Sequence, residues 1–74
     1  MKKVIVKNKN LTPTILQLLI DKFPDGYGIR DIVRFSNAKG KYVEALEVQT
    51  EEIMYLVIAD NALERSISQF LEDN

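Results

Sequence analysis

The feature that most constrains the fold is the apolar segment of residues 53–59, the longest unbroken apolar run in the chain. Its β-branched and aromatic residues favour a strand over a helix. Alternation places Ile53, Tyr55, Val57 and Ala59 on one face of that strand and Met54, Leu56 and Ile58 on the other. Because both faces are apolar, the strand belongs inside a sheet that is covered on one face and partly on the second.

Three further strands are predicted around this one. Residues 2–7 surround three apolar residues with lysines, a composition typical of an edge strand. Residues 32–36 and 41–49 form a hairpin whose loop, residues 37–40, ends in a glycine suited to a left-handed conformation. In the third strand Tyr42, Glu44, Leu46 and Val48 share one face, while Val43, Ala45 and Glu47 share the other.

Two helices complete the chain. Thr12 is a good N-cap, Pro13 suits the first helical position, and Pro24 ends the first helix. The second helix starts at Asp60 or Asn61. Its core-facing stripe consists of Leu63, Ile67, Phe70 and Leu71.

The order β-α-β-β-β-α predicts one small α+β domain over residues 1–74. We expect a two-layer sandwich, with a mostly antiparallel four-stranded sheet and both helices on one face. A first strand lying parallel beside the fourth gives the strand order 2-3-4-1 and a right-handed connection. The pattern does not decide which face the helices cover. We expect the other face to show tyrosine, arginine, glutamate and a few aliphatic residues.

The residue types argue against catalysis. The chain has no cysteine and no histidine, so no activated nucleophile and no ordinary zinc site is expected. Glu44 and Glu47 fall on opposite faces of a strand and cannot work as a pair. We predict that the protein is not an enzyme, with no catalytic residue, no metal site and no cofactor.

Charge and hydropathy indicate where in the cell the protein is expected. The formal net charge is −1, so the molecule as a whole attracts neither nucleic acid nor an anionic membrane. The basic start of the chain lacks the apolar segment of a signal peptide, and no apolar stretch is long enough to span a bilayer. We therefore expect a cytoplasmic protein that does not contact membranes.

The leading functional prediction is a protein-interaction module. A sheet that is apolar on both faces and has one layer of helices leaves apolar surface exposed, and such surface marks association sites. Partners would bind the sheet face or a strand edge, with a homodimer as the simplest form. The candidate interface residues are Tyr42, Leu46, Val48 and Tyr55. Tyr27, in the loop between two glycines, either anchors a partner or packs over the end of the core.

The alternative prediction is weak nucleic-acid binding through the basic hairpin residues Arg34, Lys39 and Lys41. The element order over residues 13–73 is similar to that of the double-stranded-RNA-binding fold. That family, however, opens its second helix with phosphate-gripping lysines. The matching stretch here, residues 60–65, is mainly acidic, so the resemblance is limited to the order of elements.

Overall fold

A computed structural model describes residues 1–73 and confirms the predicted α+β class. The strands and helices are β1 (Lys2–Val6), α1 (Pro13–Lys22), β2 (Ile32–Ser36), β3 (Tyr42–Gln49), β4 (Ile53–Ile58) and α2 (Asn61–Asp73). Short 3₁₀ turns at Asn8–Asn10 and Ile29–Asp31 precede α1 and β2. The element order is therefore the predicted β-α-β-β-β-α.

The sheet has the order β1-β4-β3-β2, which is the predicted one read from the other edge. β1 runs parallel to β4, whereas β2–β3 and β3–β4 are antiparallel pairs. The lysine-rich β1 is an edge strand, as predicted, and β2 is the opposite edge. The apolar β4 lies inside the sheet between β1 and β3, so its backbone is paired on both sides.

The helix ends follow local sequence chemistry. The backbone N–H of Ile15 donates to Thr12 Oγ1 at 3.2 Å, which satisfies one of the free donors at the start of α1. Phe23 ends α1 directly before Pro24. At the start of α2 the N–H of Leu63 donates to Asp60 Oδ1 at 2.9 Å. Asp60, rather than Asn61, therefore supplies the cap.

The core lies between the helices and one face of the sheet. Val6, Val57 and Leu46 are register partners across β1, β4 and β3, so their side chains form a row on the same face. Leu19 of α1 and Leu63 of α2 close over the same buried cluster. This answers the question that the sequence left open, because the helices cover the face of β4 that carries Tyr55 and Val57.

We predict that Thr12→Ala lowers the free energy of unfolding by about 1 kcal/mol, because the Ile15 N–H loses its partner at the start of α1. Urea denaturation followed by circular dichroism measures this change. Thr14→Ala is the matched control, since Thr14 lies in the same turn but is not the capping residue. An equal loss in both variants would contradict the capping role.

Candidate functional site

The sheet face opposite the helices is almost entirely apolar. Cross-strand register places Ile5 beside Leu56, Val33 beside Ala45 and Ala45 beside Ile58. The apolar residues of this surface, called here the open face, are Ile5, Val33, Phe35, Val43, Ala45, Met54, Leu56 and Ile58. They span all four strands, and Ile58, Ala45 and Val33 form an unbroken apolar row across β4, β3 and β2.

No helix packs on the open face. None of its residues belongs to the buried cluster beneath α1 and α2 or to the partly buried residues that pack against it. Ile5 is 50% exposed, and the larger residues of the inner strands are half-buried by one another. Ala45 is buried because it is small and lies between its larger register partners Val33 and Ile58. The sheet thus has an apolar second face turned towards solvent.

Polar residues border the open face at one end. Lys3 is the register partner of Met54, and Glu47 is the register partner of Leu56. These two charges flank β4 from β1 and β3, and Gln49 lies beside Met54. Among residues 1–73, the one ion pair joins Arg34 to Glu44 at 3.6 Å, so neither Lys3 nor Glu47 has a charged partner within the described chain.

The four candidate interface residues lie together on one face of the sheet. Tyr42, Leu46, Val48 and Tyr55 are all on the face that the helices cover. Leu46 and Val48 are 0% and 2% exposed, so they form part of the core of the single chain. Tyr55 is half-buried there, and Tyr42 is 79% exposed at the end of β3.

The expected composition of the uncovered face is confirmed in part. It carries aliphatic residues and Glu47, as expected, but neither the expected tyrosine nor the expected arginine. One signal in β1 could have identified the covered face. Val4 and Val6 share one side with Lys2, whereas Ile5 shares its side with Lys3 and, by alternation, Lys7. The side with more lysines than apolar residues is the solvent side.

The basic hairpin residues are not gathered on one face. Arg34 shares the helix-side face of the sheet and pairs with Glu44, which neutralises part of its charge. By alternation, Lys41 falls on the opposite side from its neighbour Tyr42. The backbone N–H groups of Lys39 and Lys41 donate to Asn37 Oδ1 at 2.9 and 3.0 Å, which fixes the loop.

A second candidate surface lies in the helix layer and is concave. This surface, called here the helix cleft, has a volume of about 430 Å³ and lies between the C-terminal half of α1 and α2. Its walls are mostly apolar: Leu19, Ile20, Phe23, Pro24, Gly26, Tyr27, Glu64, Ile67, Ser68 and Leu71. The rings of Phe23 and Tyr27 meet edge to face, with centroids 6.4 Å apart and planes inclined at 71°.

Tyr27 packs partly against the core, which is one of the two roles that the sequence suggested for it. Burial raises the pKa of its phenol above the ordinary 10.0, and the nearby carboxylates of Glu64 and Asp60 raise that pKa further. A phenolate would be desolvated and repelled there. The helix cleft therefore favours neutral or cationic groups over anions.

Two other kinds of site are missing from the described part of the chain. Across residues 1–73 there is no group of three or more histidine, cysteine, aspartate or glutamate side chains arranged to hold a metal ion. Over the same range no helix has the length and apolar character needed to traverse a bilayer.

Comparison with known proteins gives no relative: no family model, no curated protein and no solved structure matches this chain.

We predict that Tyr27 ionises late in an alkaline titration followed by tyrosinate absorbance, because its pKa is raised in the folded state. Between the pKa of the unfolded chain and the higher pKa of the folded protein, the folded protein holds a proton that the unfolded chain has released. The contribution of Tyr27 to stability is accordingly complete below pH 10 and falls as the pH rises through the folded pKa.

Tyr27→Phe should remove the late component of the titration, whereas Tyr42→Phe, at an exposed position, should leave that component in place. A late component that survives Tyr27→Phe would show that another tyrosine carries it.

Proposed function

We propose that this protein is a non-catalytic interaction module that binds a second copy of itself through the open face. The observation that carries the proposal is the continuous apolar surface across all four strands, opposite the helices. Exposed apolar patches of several hundred Å² are uncommon on monomers and mark association sites. The absence of any obvious catalytic group from the sequence is compatible with a binding role.

The chain exposes more surface than a compact monomer of its mass, which supports a partner as large as a second copy. The accessible surface is 5590 Å², for a mass of 8.5 kDa. A compact monomer of that mass exposes about 4,700 Å², so this chain exposes roughly 900 Å² more. A standard interface removes about 800 Å² from each partner. The surplus is therefore comparable to what one copy would lose in a stable dimer.

The arrangement of residues suits a twofold axis that runs along β4. Rotation about that axis lays β1 of each copy over β3 of the other, since these strands flank β4. Because this rotation preserves position along the strands, Lys3 of one copy then lies over Gln49 of the other, and Ile5 lies over Glu47. The apolar side chains on both copies of β4 meet at the centre. The product is an aligned sheet-on-sheet sandwich with helices on its two outer surfaces.

Analytical ultracentrifugation over a wide concentration range tests this proposal. We expect a dimer for the natural chain and a dissociation constant raised at least about tenfold for Ile5→Glu, because the substitution places a second carboxylate opposite Glu47 of the other copy. Ile5 is 50% exposed in the single chain, so the monomer should tolerate glutamate.

Tyr42→Glu is the matched control. It adds the same charge at an exposed position on the other face and should leave the dimer intact. Circular dichroism checks that both variants fold. A natural chain that sediments as a monomer at high concentration, or an Ile5→Glu variant that dimerises normally, would contradict the proposal.

Salt dependence distinguishes this proposal from the nucleic-acid binding predicted for Arg34, Lys39 and Lys41. Apolar association is maintained or strengthened by sulfate. Binding to the phosphates of a nucleic acid weakens steeply as the salt concentration rises, because the release of condensed counterions then contributes less to the free energy of binding. Fluorescence anisotropy with a short labelled duplex in low salt measures the second behaviour directly, and we expect no salt-sensitive complex.

A further inference from the structure

We infer that the helix cleft binds a small organic cation with an apolar body, such as an alkylammonium or arylalkylammonium compound. The site goes beyond the proposed self-association and lies in the helix layer, away from the open face.

The dimensions favour a small molecule. The volume of about 430 Å³ lies within the range of small-molecule sites, which is roughly 300–1,000 Å³. The loop that carries Pro24, Gly26 and Tyr27 borders the cleft where α1 ends, so helices do not form all of its boundary. A docked helix needs a longer groove with apolar anchors over several turns.

The lining provides an apolar surface for the body of the ligand. Leu19 lies at the base, where it is almost fully buried, and Ile20 and Ile67 are partly buried. Leu71 borders the cleft and remains 55% exposed, although it belongs to the apolar stripe of α2. A ligand that covers Leu71 would remove that exposed area from water.

The charge of the cleft determines which charge a ligand should carry. Glu64 is the charged residue of the lining. Its carboxylate and that of Asp60 both raise the pKa of the Tyr27 hydroxyl. Neither carboxylate forms an ion pair within residues 1–73. Their negative field would attract a cation and repel an anion.

Nearby cations of the chain do not line the cleft. The ammonium group of Lys22 lies 5.4 Å from the centre of the Phe23 ring and donates to the backbone carbonyl of Glu47, at the edge of β3. Arg65 lies outside the lining, on an adjoining surface of α2 that Glu64 and Ser68 share with the cleft. The ring of Tyr27, which lines the cleft, adds a surface that attracts a cation through its quadrupole.

Titration followed by two-dimensional ¹⁵N–¹H NMR tests the inference, with 2-phenylethylammonium as the probe. We expect saturable shifts of the backbone amides of Tyr27, Ser68 and Leu71. The neutral 2-phenylethanol should bind more weakly and phenylacetate more weakly still. Glu64→Gln should weaken binding of the cation by about threefold to fivefold, a range typical of one exposed charge pair.

Glu72→Gln is the matched control, because Glu72 is on the same helix but does not line the cleft. It should leave the affinity unchanged. Leu71→Ala should weaken both the cation and the alcohol, since it removes apolar contact common to the two ligands. Leu71 is exposed, so the fold should survive this substitution.

The inference fails if the cation produces no saturable shifts at the cleft, if the three probes bind equally, or if Glu64→Gln binds the cation as tightly as the natural chain. The Ile5→Glu variant separates this outcome from that of self-association. It alters the open face alone and should bind the cation with unchanged affinity, whatever its oligomeric state.

Discussion

The rest of the structure depends on β4, a strand with two apolar faces in a chain that supplies one layer of helices. Val57 and Tyr55 turn to the helices, whereas Leu56 and Ile58 turn away from them. Within residues 1–73, α1 and α2 cover one face of the four-stranded sheet, and the second face remains open. Burial of apolar surface is the main favourable term in folding and in association, so the same force that forms the core favours covering the open face.

Most of the fold could be predicted from local signals. Thr12, Pro13 and Pro24 defined α1 because caps and prolines act over one helical turn. Gly40 marked the hairpin and adopts the expected left-handed backbone, with φ of 78°. The strand order followed from short connections and the handedness of the crossover through α1. These features depend on a few neighbouring residues or on general topological rules.

The site was harder to predict, because it depends on which face of the sheet the helices cover. Alternation in β3 and β4 gives two apolar faces, so Leu46 and Ala45 were equally suitable as core residues from the pattern alone. In these two strands the packing of Leu19 and Leu63 against Leu46 distinguishes the faces, and the lysines of β1 were the signal available in the sequence. The helix cleft was missed for a similar reason, since Tyr27 and Glu64 are far apart in sequence and meet only when α1, its loop and α2 pack together.

The most direct test of the central claim is an isotope-filtered NOE experiment on a sample mixed from labelled and unlabelled chains. If two copies pack through their open faces, we expect NOEs between chains at the methyl groups of Met54, Leu56 and Ile58, and none at Leu46 or Val57, which lie beneath the helices. A concentrated sample without NOEs between chains at these methyl groups, whose signals are instead strongly broadened by a soluble paramagnetic agent, would show that the open face stays in water and would contradict the account.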